Sequence, residues 1–337
     1  MLTILDHLPD GLLAAEPADL ERLLGGPTLI HLPGRRDRPL FVSTLLHGNE
    51  DTSWRAVRAL LQRYGGRELP RALSLFIGNV AAAAAGMRRL EGQIDYNRAW
   101  PGGEATDGPE CAVMRAVVEE MRARDPFASI DIHNNTGLNP HYACVNRLDP
   151  PFLRLATLFS RTVIYFLRPR GVQSLAFAEL CPAVTVECGK AGNPQNTVHA
   201  LEFVEACLHL AEFPRHPVSP HDIDLYHTVA TVGIRGGIAF GFDAEARDLS
   251  LPGDLDRHNF QDLAPGTPWG RQDPSRPLTL KVSDEAGNDV SARYFHLDAD
   301  GIISLRVPST PSMLTLDRRV IRQDCLCYLM ERLPCAP

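Results

Sequence analysis

LFVSTLLHGNEDTSWRAVRALLQRY, residues 40–64, decides how this chain folds. Its first seven residues are an apolar run of strand length, and the run stops at His47-Gly48-Asn49-Glu50. Behind Asp51, Thr52 and Ser53, which suit a helix cap, apolar residues recur at helical spacing up to Tyr64. Strand, polar loop and helix in that order make one α/β unit. The loop then sits at the carboxyl end of its strand, where open α/β sheets bind ligands.

The same texture continues outward from this stretch. LSLFIGNV at 73–80, FASIDIH at 127–133 and AVTVECG at 183–189 read as further buried strands, with helices over 110–124 and around 197–212. Ala81–Ala85 reads as a close-packed turn or a helix start. Alternating strands and helices predict a three-layer α/β/α domain over residues 1–215 with a mainly parallel mixed sheet. Three prolines in FPRHPVSPHD, at 214, 217 and 220, mark a change. Beyond them come short β-like runs, HTVATVGI, PLTLKVS, SARYFHL and GIISLRV, between Gly, Pro and Asp turns. Residues 216–337 are expected to form a small β-rich C-terminal domain. Gly233, Gly236 and Gly237 read as turn glycines and not as a dinucleotide fingerprint.

Composition narrows the function. The 337 residues are 44% hydrophobic and carry a formal net charge of -7, which offers no basic field to gather phosphates, so nucleic acid is not an expected partner. Asp6, His7 and Asp10 interrupt the start of the chain, so it does not read as a secretory signal, and no run of about eighteen apolar residues could span a membrane. The eight cysteines, Cys335 among them, lack the spacing of a zinc knuckle and the density of a disulfide scaffold. A reducing cytoplasm is the expected compartment. Cys325 and Cys327 read as packing residues, and Cys188 as a small buried hydrophobe. No G-x-S-x-G elbow occurs, which leaves little for serine catalysis.

The chemistry collects at the strand ends. A catalytic zinc wants three N or O ligands and one open position. His47 and Glu50 could present an imidazole and a carboxylate to one ion, and His133 at the end of SIDIH is the natural third, with Asp131 two residues earlier to hold it from behind. Taken alone, His47 reads as a cap of the following helix or as a satisfied loop histidine. Asn97 and Arg98, in the loop segment from Asp95 to Gly102, put an amide beside a guanidinium suited to a carboxylate; a solvated turn is the plainer alternative. Glu187 follows an apolar strand, where burial would raise its pKa toward the range of a general base or acid, or where it could be a salt-bridged strand-end acid. Asn134-Asn135, after His133, could donate to a substrate carbonyl or form an Asx turn.

HGNE, DYNRAWPG, DIHNNTG and ECG, in that order and mostly at strand ends, resemble the succinylglutamate desuccinylase and aspartoacylase family, a branch of the zinc carboxypeptidase-like hydrolases. The resemblance runs over roughly residues 40–215. It implies one Zn2+ per chain held by His47, Glu50 and His133, a catalytic carboxylate at Glu187, and substrate binding by Asn97 and Arg98. Arg88 or Arg89 would steady the oxyanion, the choice between them being open, and Asn134 joins the substrate-binding set. A small-molecule N-acyl amino acid or similar amide is the implied partner; a homo-oligomer is left open. One departure matters. The stretch VQSLAFAELCPAV between Gly171 and Val184 contains no basic residue, so an acidic acyl group is not implied. Two alternatives stand beside this reading: a metallocarboxypeptidase acting on peptide C-termini, and an inactive zinc-binding regulatory module.

Overall fold

Three strands open the chain, β1 (Thr3–Leu5), β2 (Thr28–Leu32) and β3 (Leu40–Thr44), with helix α1 (Leu20–Leu24) between the first two. Every residue of β3 is buried. The computed structural model describes residues 1–243 and 248–334; Cys335 therefore lies outside the described residues. Helix α2 (Thr52–Tyr64) follows β3 as its periodicity predicts, and β4 (Leu73–Ile77), α3 (Val80–Ala84) and α4 (Pro109–Ala123) lead to β5 (Ala128–His133). Then come β6 (Tyr142–Val145), α5 (Pro150–Phe159), β7 (Thr162–Tyr165), α6 (Gln173–Phe177), β8 (Ala183–Glu187), α7 (Pro194–His209) and β9 (Asp224–Ile234).

The chain divides into two compact units. One comprises Met1–Asn134 with His141–Leu225, and the other Asn135–Pro140 with Tyr226–Leu333. In the first unit the strands run in the order β1-β2-β4-β3-β5-β8-β6-β7. Only the β2–β4 and β8–β6 pairs are antiparallel; the other five are parallel. This is the mainly parallel mixed sheet expected from the alternation.

Lateral register decides what each face carries. Val42 pairs with Ile130 and Ile130 with Val184, while Ile132 pairs with Val186, so these aliphatic side chains share one face. Helices α2, α5 and α7 cover it, with Arg63 of α2 bonded to Glu205 of α7 at 2.6 Å. Phe41, Ser43, Ser129, Asp131, His133, Thr185 and Glu187 share the other. There Phe177 of α6 stacks on Phe41 at 4.3 Å between ring centroids, and His31 of β2 meets Glu120 of α4 at 3.4 Å. Helices on both faces explain why the strands read as continuous apolar runs.

In the second unit β9 is flanked by antiparallel partners β13 (Leu280–Asp284) and β17 (Cys327–Arg332), and β16 (Thr310–Ser312) adds to β17. A separate sheet has the order β10 (Phe240–Phe242), β11 (Leu249–Leu251), β12 (Pro268–Gln272), β15 (Ile302–Leu305), β14 (Phe295–Leu297). Trp269, Leu280, Phe295, Leu326 and Leu329 belong to the buried core of this second unit. The run SARYFHL is a strand only in its second half. Ser291–Tyr294 coil into a short helix, α8, because Asp289 accepts from the Ser291 backbone N–H at 3.0 Å and holds the chain in a turn. Cys325 and Cys327 are both buried, and the seven described cysteines are free. No helix among the described residues is long and apolar enough to cross a membrane.

Candidate metal centre and active site

The loop after β3 is built to turn back over its own helix. Leu45 takes a positive φ of 54° and gives its N–H to Ser53 Oγ at 3.1 Å, while Ser53 Oγ donates to the Glu50 carbonyl at 3.1 Å. Gly48 is required by space: a Cβ there would stand 2.2 Å from the backbone of Ala82 and Ala83. The loop is thereby pinned between α2 and α3. His47 and Glu50 face the same point.

His133, at the end of β5, completes the group. One atom from each of His47, Glu50 and His133 lies within 4.8 Å of the others. His47 Nδ1 meets Glu50 Oε1 at 2.8 Å, and His133 Nδ1 meets Glu50 Oε2 at 2.8 Å. The far nitrogen of each ring is held by a different carboxylate: His47 Nε2 by Asp95 at 2.9 Å, and His133 Nε2 by Asp131 at 2.8 Å. A carboxylate behind Nε2 keeps the proton there and leaves the Nδ1 lone pair free to ligate. Two lone pairs and a carboxylate then converge on one point, which is a donor set that suits zinc. The residues present fit the metal.

Charge in the group follows from this packing. Burial works against ionising Glu50, but the imidazoles of His47 and His133 hold its carboxyl well below the usual range. Asp95 is likewise depressed, against its burial, by His47 and Arg88. Burial disfavours a charged His133, yet Asp131 and Glu50 together raise its pKa. Glu187 behaves oppositely. Burial pushes its carboxyl up to about 8, and Oε2 has no hydrogen-bond partner among the described residues. It stands in register with His133 on the neighbouring strand.

The catalytic-domain model of the succinylglutamate desuccinylase/aspartoacylase family matches residues 37–211, more than half of the chain. The chain belongs to that family. Its fold is similar to succinylglutamate desuccinylase from Chromobacterium violaceum (TM-score 0.55, 16% identity, 90% of this chain and 87% of that one). It is also similar to murine aminoacylase 3 (0.56, 16%, 89% and 96%) and to a succinylglutamate desuccinylase/aspartoacylase from Rhodobacter sphaeroides (0.58, 12%, 90% and 87%). No curated protein matches the chain by sequence.

Around the cluster of His47, Glu50 and His133 the remaining sequence-predicted residues fall into distinct places. Arg88 joins the cluster, bonded to Asp95 Oδ2 through Nε at 3.2 Å and Nη2 at 3.0 Å, with Nη1 3.8 Å from Glu50. Arg89 instead donates to the Gln93 carbonyl at 2.6 Å. Asn97 sets Nδ2 3.3 Å from His133 Nε2 and accepts from the Gln173 backbone N–H at 3.1 Å. Arg98 donates to the Asn97 carbonyl at 2.7 Å. Both amide atoms of Asn134 have a partner, Nδ2 donating to the Gly189 carbonyl at 2.8 Å and Oδ1 accepting from the Thr52 N–H at 3.4 Å, while its backbone N–H reaches Glu50 at 3.1 Å.

Asp95 and Ser43 are the residues that motif reading left without a role. Asp95 links His47, Arg88 and the Asn97 backbone N–H, the last at 2.7 Å. Ser43 Oγ donates to Asp131 at 2.6 Å. Asp95 was legible as a motif member two residues before Asn97, but its partner His47 is remote in sequence.

Proposed function

We propose that this chain is a zinc-dependent hydrolase that cleaves the amide bond of an N-acyl amino acid or a similar small amide. The convergence of His47 Nδ1, His133 Nδ1 and the Glu50 carboxylate, each ring backed by its own carboxylate, carries the reading. When bound, zinc supplies Lewis acidity and a water acidified toward neutrality. Glu187 takes the proton of the attacking water and hands it to the leaving amine. A carboxyl poised near 8 and short of one hydrogen-bond partner suits both halves of that transfer.

Arg88 steadies the oxyanion that develops on the scissile carbonyl, and Asp95 keeps the guanidinium aimed. Arg98 with Asn97 clamps a substrate carboxylate, the guanidinium fork supplying the direction. The named relatives, a succinylglutamate desuccinylase and an aminoacylase, support a small acylated amino acid as the substrate class.

Metal analysis of protein purified without added zinc, paired with a panel of N-acyl amino acids of different acyl charge, tests the proposal. About one zinc per chain and turnover of at least one panel member are expected. Less than about half a metal per chain, with no gain in stability on adding zinc, would overturn it.

A further inference from the structure

The segment from Arg88 to Asp95 leaves the candidate site and returns to it. Its two ends are joined by the Arg88–Asp95 ion pair, and none of the described residues between α3 and α4 belongs to a helix or strand. A segment without a hydrogen-bond ladder keeps its place only through individual contacts. Near Arg88 two of these are backbone bonds. The Met87 N–H donates to the Ala82 carbonyl at 2.9 Å, and the Gly48 N–H donates to the Arg88 carbonyl at 3.2 Å. Further along, the chain reverses over residues 90–93, where the Gln93 N–H meets the Leu90 carbonyl at 3.3 Å and Gly92 takes a φ of 79°. Arg89 Nη1 closes the same turn by donating to the Gln93 carbonyl at 2.6 Å.

The Gln93 side chain fastens this turn to the start of α3. Asn79 Nδ2 donates to Gln93 Oε1 at 3.0 Å and Gln93 Nε2 to Asn79 Oδ1 at 3.4 Å, so the two amides face each other head to head. Each oxygen also accepts a backbone N–H, Asn79 Oδ1 from Ala82 at 3.2 Å and Gln93 Oε1 from Leu90 at 2.8 Å. A backbone N–H can only donate, so neither amide can turn over without setting donor against donor. The polarity of the pair is thereby fixed from both ends. Asn79 is 1% exposed, which shields the pair from competing water.

Its anchor also supports the metal loop. Ala82 and Ala83 of α3 are the backbone against which Gly48 packs. Helix α3 therefore holds both the loop of His47 and Glu50 and, through Asn79 and Gln93, the segment of Arg88 and Asp95.

Resting on the oxyanion role given to Arg88 above, we propose that Gln93 is a positioning residue: paired with Asn79, it fixes the Arg88–Asp95 segment so that the Arg88 guanidinium is aimed at the developing oxyanion. Arg89 assists by closing the turn that carries Gln93. The role is invisible in the motif, which begins at Asp95, because Asn79 lies fourteen residues before Gln93.

The test measures kcat, KM, zinc content and Tm of zinc-saturated protein, with the N-acyl amino acid that the wild type hydrolyses fastest. Gln93→Met keeps the length of the side chain and removes both amide bonds. Asn79→Asp still caps α3 but sets an oxygen against Gln93 Oε1. Both are expected to lower kcat about tenfold or more, the cost of a misplaced catalytic group, with KM within about threefold of wild type and full zinc occupancy. In an Arg88→Ala background, Gln93→Met should cost less than about twofold in kcat, because the group it positions is gone. Single-turnover measurement with enzyme in excess reads rates too slow for the steady state. A merely structural role would lower Tm and leave kcat per folded chain unchanged, or would cost as much without Arg88 as with it; either result overturns the proposal. Should Gln93→Met fail to fold, Asn79→Asp is judged by the same criteria. A wild-type protein that hydrolyses nothing overturns the hydrolase reading and this inference with it. Full kcat in Arg88→Ala overturns the oxyanion role and this inference together. Loss of rate in Arg88→Ala with full kcat in Gln93→Met overturns the inference alone.

Discussion

Ile130, Ile132, Val184 and Val186 on one face of β5 and β8, and Ser129, Asp131, His133, Thr185 and Glu187 on the other, are all buried. One row is a core and the other carries the proposed reaction centre. The aliphatic row needs only volume and close packing. The polar row needs a partner for every buried atom, and most are supplied: Gln173 donates to Ser129, Ser43 to Asp131, and Thr185 to Ser174 at 3.1 Å. Satisfaction fails at the carboxyl end of the strands. There Glu187 Oε2 has no hydrogen-bond partner among the described residues, and two imidazoles confront one carboxylate. Equal burial therefore hides opposite purposes, and the unsatisfied end of the polar row marks the chemistry.

Substitutions in the two rows should separate these purposes. His133→Ala is expected to have the largest effect, abolishing metal retention and with it detectable hydrolysis, read by metal analysis of the purified variant; full metal content would remove His133 from the ligand set. Glu187→Gln should keep metal and fold yet lower kcat by about 10²–10⁴-fold, and retained turnover would end the proton-transfer role. Ile132→Ala, in the aliphatic row, should cost about 2–5 kcal/mol in urea unfolding. Its folded fraction should keep near-normal KM, and a selective loss of activity would show that the two rows are not independent. Asp131→Asn should weaken metal binding by about 10–100-fold in competition with a chelator.

A titration of stability gives the gentlest contrast. The Glu187 carboxyl lies at about 8 in the folded protein against an ordinary value of 4.5. A folded pKa above the unfolded one adds stability that is fully present below 4.5 and is lost as pH rises through 8. Metal-free wild type should therefore weaken across that window. His133 is raised too and works in the same direction, but it is common to both proteins, so the difference between wild type and Glu187→Gln isolates the glutamate. The urea midpoint of the variant should gain on wild type as pH rises. Parallel curves would show that Glu187 ionises normally.

Much of the fold was legible at β3, β4, β5 and β8, because strands covered on both faces are apolar runs of strand length. Short strands gave no such signal. Tyr142–Val145 and Thr162–Tyr165 are four residues each, and their place beside β8 depends on pairing that no local pattern encodes. SARYFHL looked like a strand through its aromatic residues, but a side-chain bond from Asp289 turns its first half into helix. The site divides in the same way. His47, Glu50, His133 and Glu187 could be proposed from residue type at strand ends, whereas Arg88 and Arg89 could not be told apart until Asp95 was seen to hold only the first.

The sequence by itself determined the α/β alternation, the strand-end position of the polar residues and the order of four motifs that places the chain in its family. These are local properties, carried by periodicity and residue type within a few positions. Tertiary structure alone decided that β5 and β8 align His133 with Glu187 and that Asp95 backs His47. Each of those depends on a hydrogen bond or register between segments remote in sequence, and such bonds exist only once the chain has closed around them.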